Sequence, residues 1–234
     1  MVRGRFGYRR LTVLLRRDGW RVNTKRIYRL YTEEGVMVRN KVRVRAARRN
    51  RVPQAVTTAP NPRWSMDFMS KCVADGRGFR SLTVVNQSTR ECLCWVADQS
   101  LTGEKVAQAL EPVMLQRGAS RSITVDNGSE FASRVIVAWA YRHGVQLDVI
   151  QPGKPVENGF TKSLNGRFRE ECLNGEVCFT LEDVREKLAR WQEHDSLLRP
   201  HSALQDHTPA SLAAQWAASV QTLHAPQVLR ETLT

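Results

Sequence analysis

"SITVDNGSEFASRVIVAWAYRHGVQLDVIQ", Ser122 to Gln151, reads as a strand, a turn, a helix and a second strand. "SITVDN" is a short apolar run ending on Asp126, and Asn127-Gly128 supplies a sharp turn. Ser129 can cap the helix "SEFASRVIVAWAYRHG", which stops at Gly144, and "VQLDVIQ" is the following strand. Upstream, "RWSMDFMSKCV", "FRSLTVVN" and "RECLCWVADQ" are rich in β-branched and aromatic residues and are joined by short turns, the pattern of an antiparallel meander. "TGEKVAQALEPVMLQRG" is an amphipathic helix closed by Gly118. Helices near 157–173 and 181–197 and a short one at "PASLAAQWAASV" follow. Three antiparallel strands and then alternating helix and strand give a mixed sheet flanked by helices, an α/β layer architecture.

The segment before this body is of a different kind. Residues 1–60 hold 17 Lys and Arg against three acids, whereas the other 174 residues are nearly neutral, so the whole excess of +13 lies in the first quarter of the chain. Such asymmetry points to a nucleic-acid-binding head on a neutral body. In "FGYRRLTVLLRRDGWRVNTKRIYRLYTEEG", Leu11, Leu14 and Leu15 form one helical stripe, and Ile27, Tyr28, Leu30 and Tyr31 form a second behind an Asn23 or Thr24 cap, with Gly35 as the stop. Two short helices around a Gly-containing turn resemble a helix-turn-helix module over 1–45. Its candidate DNA contacts are Arg5, Arg9, Arg10, Arg16, Arg17, Lys25, Arg26 and Arg29. If about six of these groups meet phosphates, the log–log salt slope of binding is about −5. Residues 46–60 read as a basic, Pro-containing linker, and the body as 61–220.

No apolar run approaches the roughly 18–20 residues of a membrane span, and "MVRGRFGYRR" has no apolar stretch of a secretory leader, so the cytoplasm is expected. Cys72, Cys92, Cys94, Cys172 and Cys178 include no CxxC pair and read as reduced, structural thiols; Cys92 and Cys94 are expected on one face of a strand.

Asp67 in the middle of "WSMDF" is unusual, because a carboxylate buried unpaired in a strand is costly. Asp126 ends another strand, where open α/β sheets place their sites. Two strand-borne aspartates behind a basic head point to divalent-metal phosphodiester chemistry, in which a carboxylate bridges two ions and further oxygen ligands close the site.

"WSMDF", "TVDNGSEF", "QPGKPVENGF", "SLNGRFREECLN" and "RPHSAL" together resemble the IS3-type insertion-sequence transposases, a branch of the DDE transposase and retroviral integrase superfamily. The resemblance covers nearly the whole chain. It implies an RNase H-like integrase catalytic core with a five-stranded mixed sheet, Mg2+ or Mn2+ held by Asp67 and Asp126, and DNA (element ends and target) as partner. It also implies a homo-oligomer on DNA and metal-dependent strand cleavage and transfer. The chain begins inside the family's helix-turn-helix region, so it resembles an N-terminally truncated copy. The third carboxylate of the family falls on Lys162, as "GKPVENGFTKSLNG" shows against the family pattern G-K-P-x-x-N-x-x-x-E-S-F-N-G.

Glu157 lies about 140° around the same helix from Lys162, and Glu170 about 12 Å along its axis, so neither substitutes for the missing acid. Lys162 removes an oxygen ligand and adds an ammonium. Like charges about 4 Å apart at an effective dielectric near 20 repel by ~4 kcal/mol, so the expectation is lost metal binding and an impaired enzyme. Lys154, in the loop before that helix, is a further candidate DNA contact. Asn86 and Ser88 in "VVNQSTR", and Asp195-Ser196 in "HDSLLRPH", where the family reads Y-N-x-x-R-P-H, also depart from the family pattern.

Overall fold

The computed structural model describes residues 6–38, 63–128, 131, 133–150 and 159–224. In the head, α1 (Tyr8–Arg17) and α2 (Thr24–Glu33) pack against each other, and Asn23 caps α2 by accepting the Lys25 N–H at 2.9 Å. Two helices of this length enclose little: Thr12, Ile27 and Tyr31 are buried, Leu11, Leu14 and Leu15 are half-covered, and Tyr28 and Leu30 are exposed. The buried part of the second stripe is therefore narrower than its sequence: Ile27 and Tyr31 are covered, whereas Tyr28 meets α1 edge-on at the Tyr8 ring, 4.9 Å between centroids, and stays exposed.

The body is a five-stranded sheet in the order β3-β2-β1-β4-β5. β1 (Arg63–Cys72), β2 (Gly78–Asn86) and β3 (Cys92–Asp98) form the antiparallel meander; β4 (Ser122–Val125) pairs parallel with β1, and β5 (Gln146–Val149) parallel with β4. The links that make β4 and β5 parallel are helical, namely α3 (Gly103–Arg117) and α4 (Arg134–Arg142). Ser133, rather than Ser129, starts α4, accepting the Ile136 N–H at 3.4 Å. The helix near 157–173 is α5 (Gly159–Phe168) running into a wider π-type turn (Arg169–Leu173), followed by α6 (Leu181–Leu197) and α7 (Pro209–His224).

Strand alternation sorts the body into two cores. Trp64, Met66, Leu82, Val84 and Ile123 face Leu110, Ile136 and Trp139 of α3 and α4. Met69, Val85, Trp95 and Ala97 face Leu164 and Phe168 of α5 and Leu188 and Trp191 of α6. Cys92 and Cys94 do not share a face. The register of β2 against β3 shifts between Val84 and Val85, so Cys94 packs in the first core and Cys92 in the second. A bulge of this kind breaks the two-residue period that the sequence reading assumed. All five thiols are free, with only Cys72 exposed. The β3 edge is covered by α6, whose Arg185 and Gln192 donate to the carbonyls of Ala97 and Cys92 at 3.0 and 2.9 Å.

Candidate active site

Between α5 and the sheet the second core gives way to a polar seam. Ser65 and Asp67 of β1, Ser81 and Thr83 of β2, and Thr161 and Asn165 of α5 are all buried there. Their placement follows from period: Ser65 and Asp67 point to the side opposite Trp64 and Met66, and Asp67 lies directly beside Thr83 in the β1–β2 register. The carboxylate is 7% exposed, and its Oδ2 accepts the Asn165 Nδ2–H at 3.2 Å. Thr83 Oγ1 in turn donates to Asn165 Oδ1 at 2.7 Å, which fixes the amide so that its NH2 faces Asp67.

Asp126 follows the last residue of β4. Ser65 is aligned with Thr124, so two residues further along the parallel pair Asp67 and Asp126 come level. Asp126 closes the predicted turn by accepting the Gly128 N–H at 3.0 Å. Lys162 lies on α5 one turn before Asn165, with its side chain exposed. Burial pushes the Asp67 carboxyl up to about 6, and the charge of Asp126 adds to this, while Lys162, Asn165 and the Phe68 N–H pull it back down. The two acids thus feel each other, and the ammonium of Lys162 acts on the same spot without a direct ion pair within 4.0 Å. Asp126 and Lys162 both lie close enough to act on the charge of Asp67.

Glu170 is exposed on the wide turn, and Glu157 lies outside the described residues. Glu171 is occupied elsewhere: it accepts the Trp191 Nε1–H at 2.8 Å and pairs with Arg199, whose side chain is fully buried. Arg199 Nε also meets Asp195 at 2.8 Å, and Arg167 and His201 each approach Asp195 at 3.5 Å. Asp195, a departure from the family pattern, is thus the centre of a buried ionic cluster. Asn86 is likewise built in, its Oδ1 accepting the N–H groups of Ser88 and Thr89 at 2.9 and 3.3 Å to hold the β2–β3 turn.

The head's basic candidates divide by direction. Arg9, Lys25, Arg26 and Arg29 are exposed, Arg29 beside Glu33 at 3.6 Å. Arg16 braces the inter-helix turn through Val22 O. Arg17 donates to Leu198 O and Asp206 O, and Arg10 is half-buried near Arg199 and Arg167. Phe6 stacks on His194 with ring centroids 5.5 Å apart, so the head rests against the end of α6. Arg5 and Lys154 lie outside the described residues.

Residues 57–155 and 143–209 match the integrase core domain, and residues 2–44 an HTH-like domain. A 31.7 kDa protein of insertion element IS407 from Burkholderia multivorans is 42% identical over 229 residues, covering 98% of this chain and 82% of that protein. The chain belongs to the integrase-core family of insertion-element proteins. A 39.2 kDa protein of insertion element IS476 from Xanthomonas euvesicatoria is 39% identical over 212 residues, which are 91% of this chain and 61% of the relative. Among solved structures, the HTLV-2 integrase catalytic core domain in complex with magnesium aligns with a TM-score of 0.50 at 15% identity, over 67% of this chain and 98% of that one. That likeness establishes the RNase H-like fold.

For such a divalent ion this family member offers Asp67, Asp126 and an ammonium. Among the described residues no three His, Cys, Asp or Glu side chains are grouped to hold a metal. Two carboxylates with an ammonium acting on the same spot, and no third acid grouped with them among the described residues, fall short of the oxygen set such an ion takes. Sequence reasoning missed Thr83 and Asn165. Asn165 stood within the quoted "SLNG" motif, three residues after Lys162 and so on the same helix face.

Proposed function

We propose that this chain is a DNA-binding protein of the IS3 transposase type in which strand cleavage and strand transfer are blocked at Lys162. The observation that carries the reading is the placement of Lys162 against the Asp67–Asp126 pair, where its charge already acts on Asp67. An ammonium there offsets part of the repulsion between the two carboxylates and adds a positive charge that repels a divalent ion. The head over 1–45 and the linker over 46–60 bind DNA, element ends and target alike, mainly through phosphates. The core over 61–220 keeps its fold, because Asn165 and the Glu171–Asp195–Arg199 cluster hold α5 and α6 in place. On DNA the protein assembles as a homo-oligomer, able to interfere with an intact relative. The cytoplasm is its expected location, and no helix among the described residues is long and apolar enough to cross a membrane.

Calorimetric titration of Mn2+ and Mg2+ into the protein and into Lys162→Glu tests this reading. Binding is expected only in Lys162→Glu, and it should be abolished again by adding Asp126→Asn. Equal metal affinity in the unsubstituted protein would overturn it.

A further inference from the structure

The starting ends of β1 and β4 and the β2–β3 turn meet at one edge of the sheet, and each brings an arginine. Arg63 opens β1 and is aligned with Ser122; Arg121 immediately precedes Ser122. The turn is tied to the same edge by the Gln87 N–H, which donates to Arg63 O at 3.0 Å, and it carries Arg90. Arg63 and Arg121 are exposed, and among the described residues none of the three has a carboxylate within 4.0 Å. Glu91, the acid next in sequence, is taken by Arg117.

Arg90 is the least ordinary of the three. Its guanidinium lies over the Phe160 ring, 3.4 Å from the centroid, and its Nη1 is sealed from solvent with no acceptor. Burial alone pushes it down to about 10, with no opposing charge to hold it up. Its backbone sits at φ 62°, a left-handed conformation that a side chain of this size adopts only at a cost. Half-buried on Phe160 and with no carboxylate beside it among the described residues, this guanidinium has its charge left for an anion. The stacked Phe160 holds the guanidinium flat without competing for its hydrogen-bonding edge.

We infer that Arg63, Arg90 and Arg121 form a phosphodiester-binding row on the core, separate from the head and from the aspartate pair. The inference rests on the DNA-binding reading above and adds a second point of contact to it. Arg63 stands four residues before Asp67 on β1, about 13 Å along the strand. At about 3.4 Å per nucleotide of duplex, the row grips a strand roughly four nucleotides from the point where it passes Asp67.

The test compares the intact chain with Arg63→Gln/Arg90→Gln/Arg121→Gln in salt-dependent binding to a duplex, with Arg142→Gln/Arg190→Gln as a charge-loss control. The triple variant should lose about two to three units of log–log salt slope, and the control markedly less. Equal losses, or an unchanged slope in the triple variant, overturn the row. Arg90→Met separates binding from packing, because it keeps an apolar stem on Phe160 and deletes the unpaired charge. It should weaken DNA binding without lowering Tm; a lower Tm with unchanged DNA affinity would make Arg90 structural and refute its role. Absence of duplex binding by the unsubstituted protein would overturn the DNA-binding reading itself, and the row with it, a result distinct from the others.

Discussion

Asn165 donates its Nδ2–H to Oδ2 of Asp67 at 3.2 Å, joining α5 to β1 across 98 residues of sequence. With Thr83 donating to its Oδ1 at 2.7 Å, the amide spans two strands and one helix inside a sealed polar seam. Asn165→Ala leaves both Asp67 and Thr83 short of a partner and is expected to cost about 1–3 kcal/mol in urea unfolding. Thr83→Val should cost less, because the amide keeps its bond to Asp67. Equal stability of Asn165→Ala and the unsubstituted protein would show that the seam is hydrated instead.

The environment of Asp67 makes stability depend on pH in an unusual direction. Its folded value near 6 lies above its ordinary 3.8, so the folded state holds the proton more tightly than the unfolded chain. This contribution is fully present below about pH 4 and is lost as pH rises through about 6, with a full range of up to about 3 kcal/mol. Asp67→Asn, which cannot ionise, is expected to be about 1–3 kcal/mol more stable than the unsubstituted protein near pH 7.5. The two should converge near pH 4. A less stable variant at neutral pH would contradict the burial argument.

Asp195 behaves in the opposite sense. Although burial opposes its charge, His201, Arg167 and Arg199 together hold it below the ordinary carboxylate range. Its contribution is present above the unfolded value near 4 and is lost as pH falls through the lower folded one. Asp195→Ala leaves Glu171 as the one carboxylate of the cluster facing the fully buried Arg199 and takes the carboxylate partner from Arg167, and should cost about 3–5 kcal/mol or prevent folding at neutral pH. Asp195→Asn, which keeps the shape, should cost less and weaken the acid transition.

The head's outward and inward arginines should differ in DNA binding. Arg9, Lys25, Arg26 and Arg29 are exposed, so replacing all four by Gln is expected to reduce the salt slope by about three to four units. Arg17→Gln loses donors that Leu198 O and Asp206 O already occupy and should change the slope by less than one unit. A larger effect from Arg17 than from any outward residue would mean that the head turns over when it meets DNA.

Runs of β-branched and aromatic residues bounded by turns were enough to place all five strands and the helices between them, although β2 and β4 are buried on both faces and show no clean alternation. That Asp67, Asp126 and Lys162 belong to one site is what the family resemblance implied, and Asp126 and Lys162 do act on the charge of Asp67. What could not be read were features set by three-dimensional partners. The bulge that parts Cys92 from Cys94 depends on the pairing of β3 with β2, which no single strand encodes. Tyr28 and Leu30 fit an apolar stripe yet remain exposed, although Tyr28 meets the edge of the Tyr8 ring of α1. The helix after Asp126 starts at Ser133 rather than Ser129, a choice between two similar caps in one sequence. Asn165 was visible as a motif residue, but its role needed Thr83 from a strand 82 residues away.

The most direct test of the block at Lys162 is strand transfer on a labelled element-end duplex with Mg2+ or Mn2+, comparing the protein with Lys162→Glu and with Lys162→Glu/Asp126→Asn. Joined products are predicted from Lys162→Glu alone, showing an intact fold around a substituted third position. Joined products from the unsubstituted protein would contradict the block, and would mean that another group completes the site beside Asp67 and Asp126.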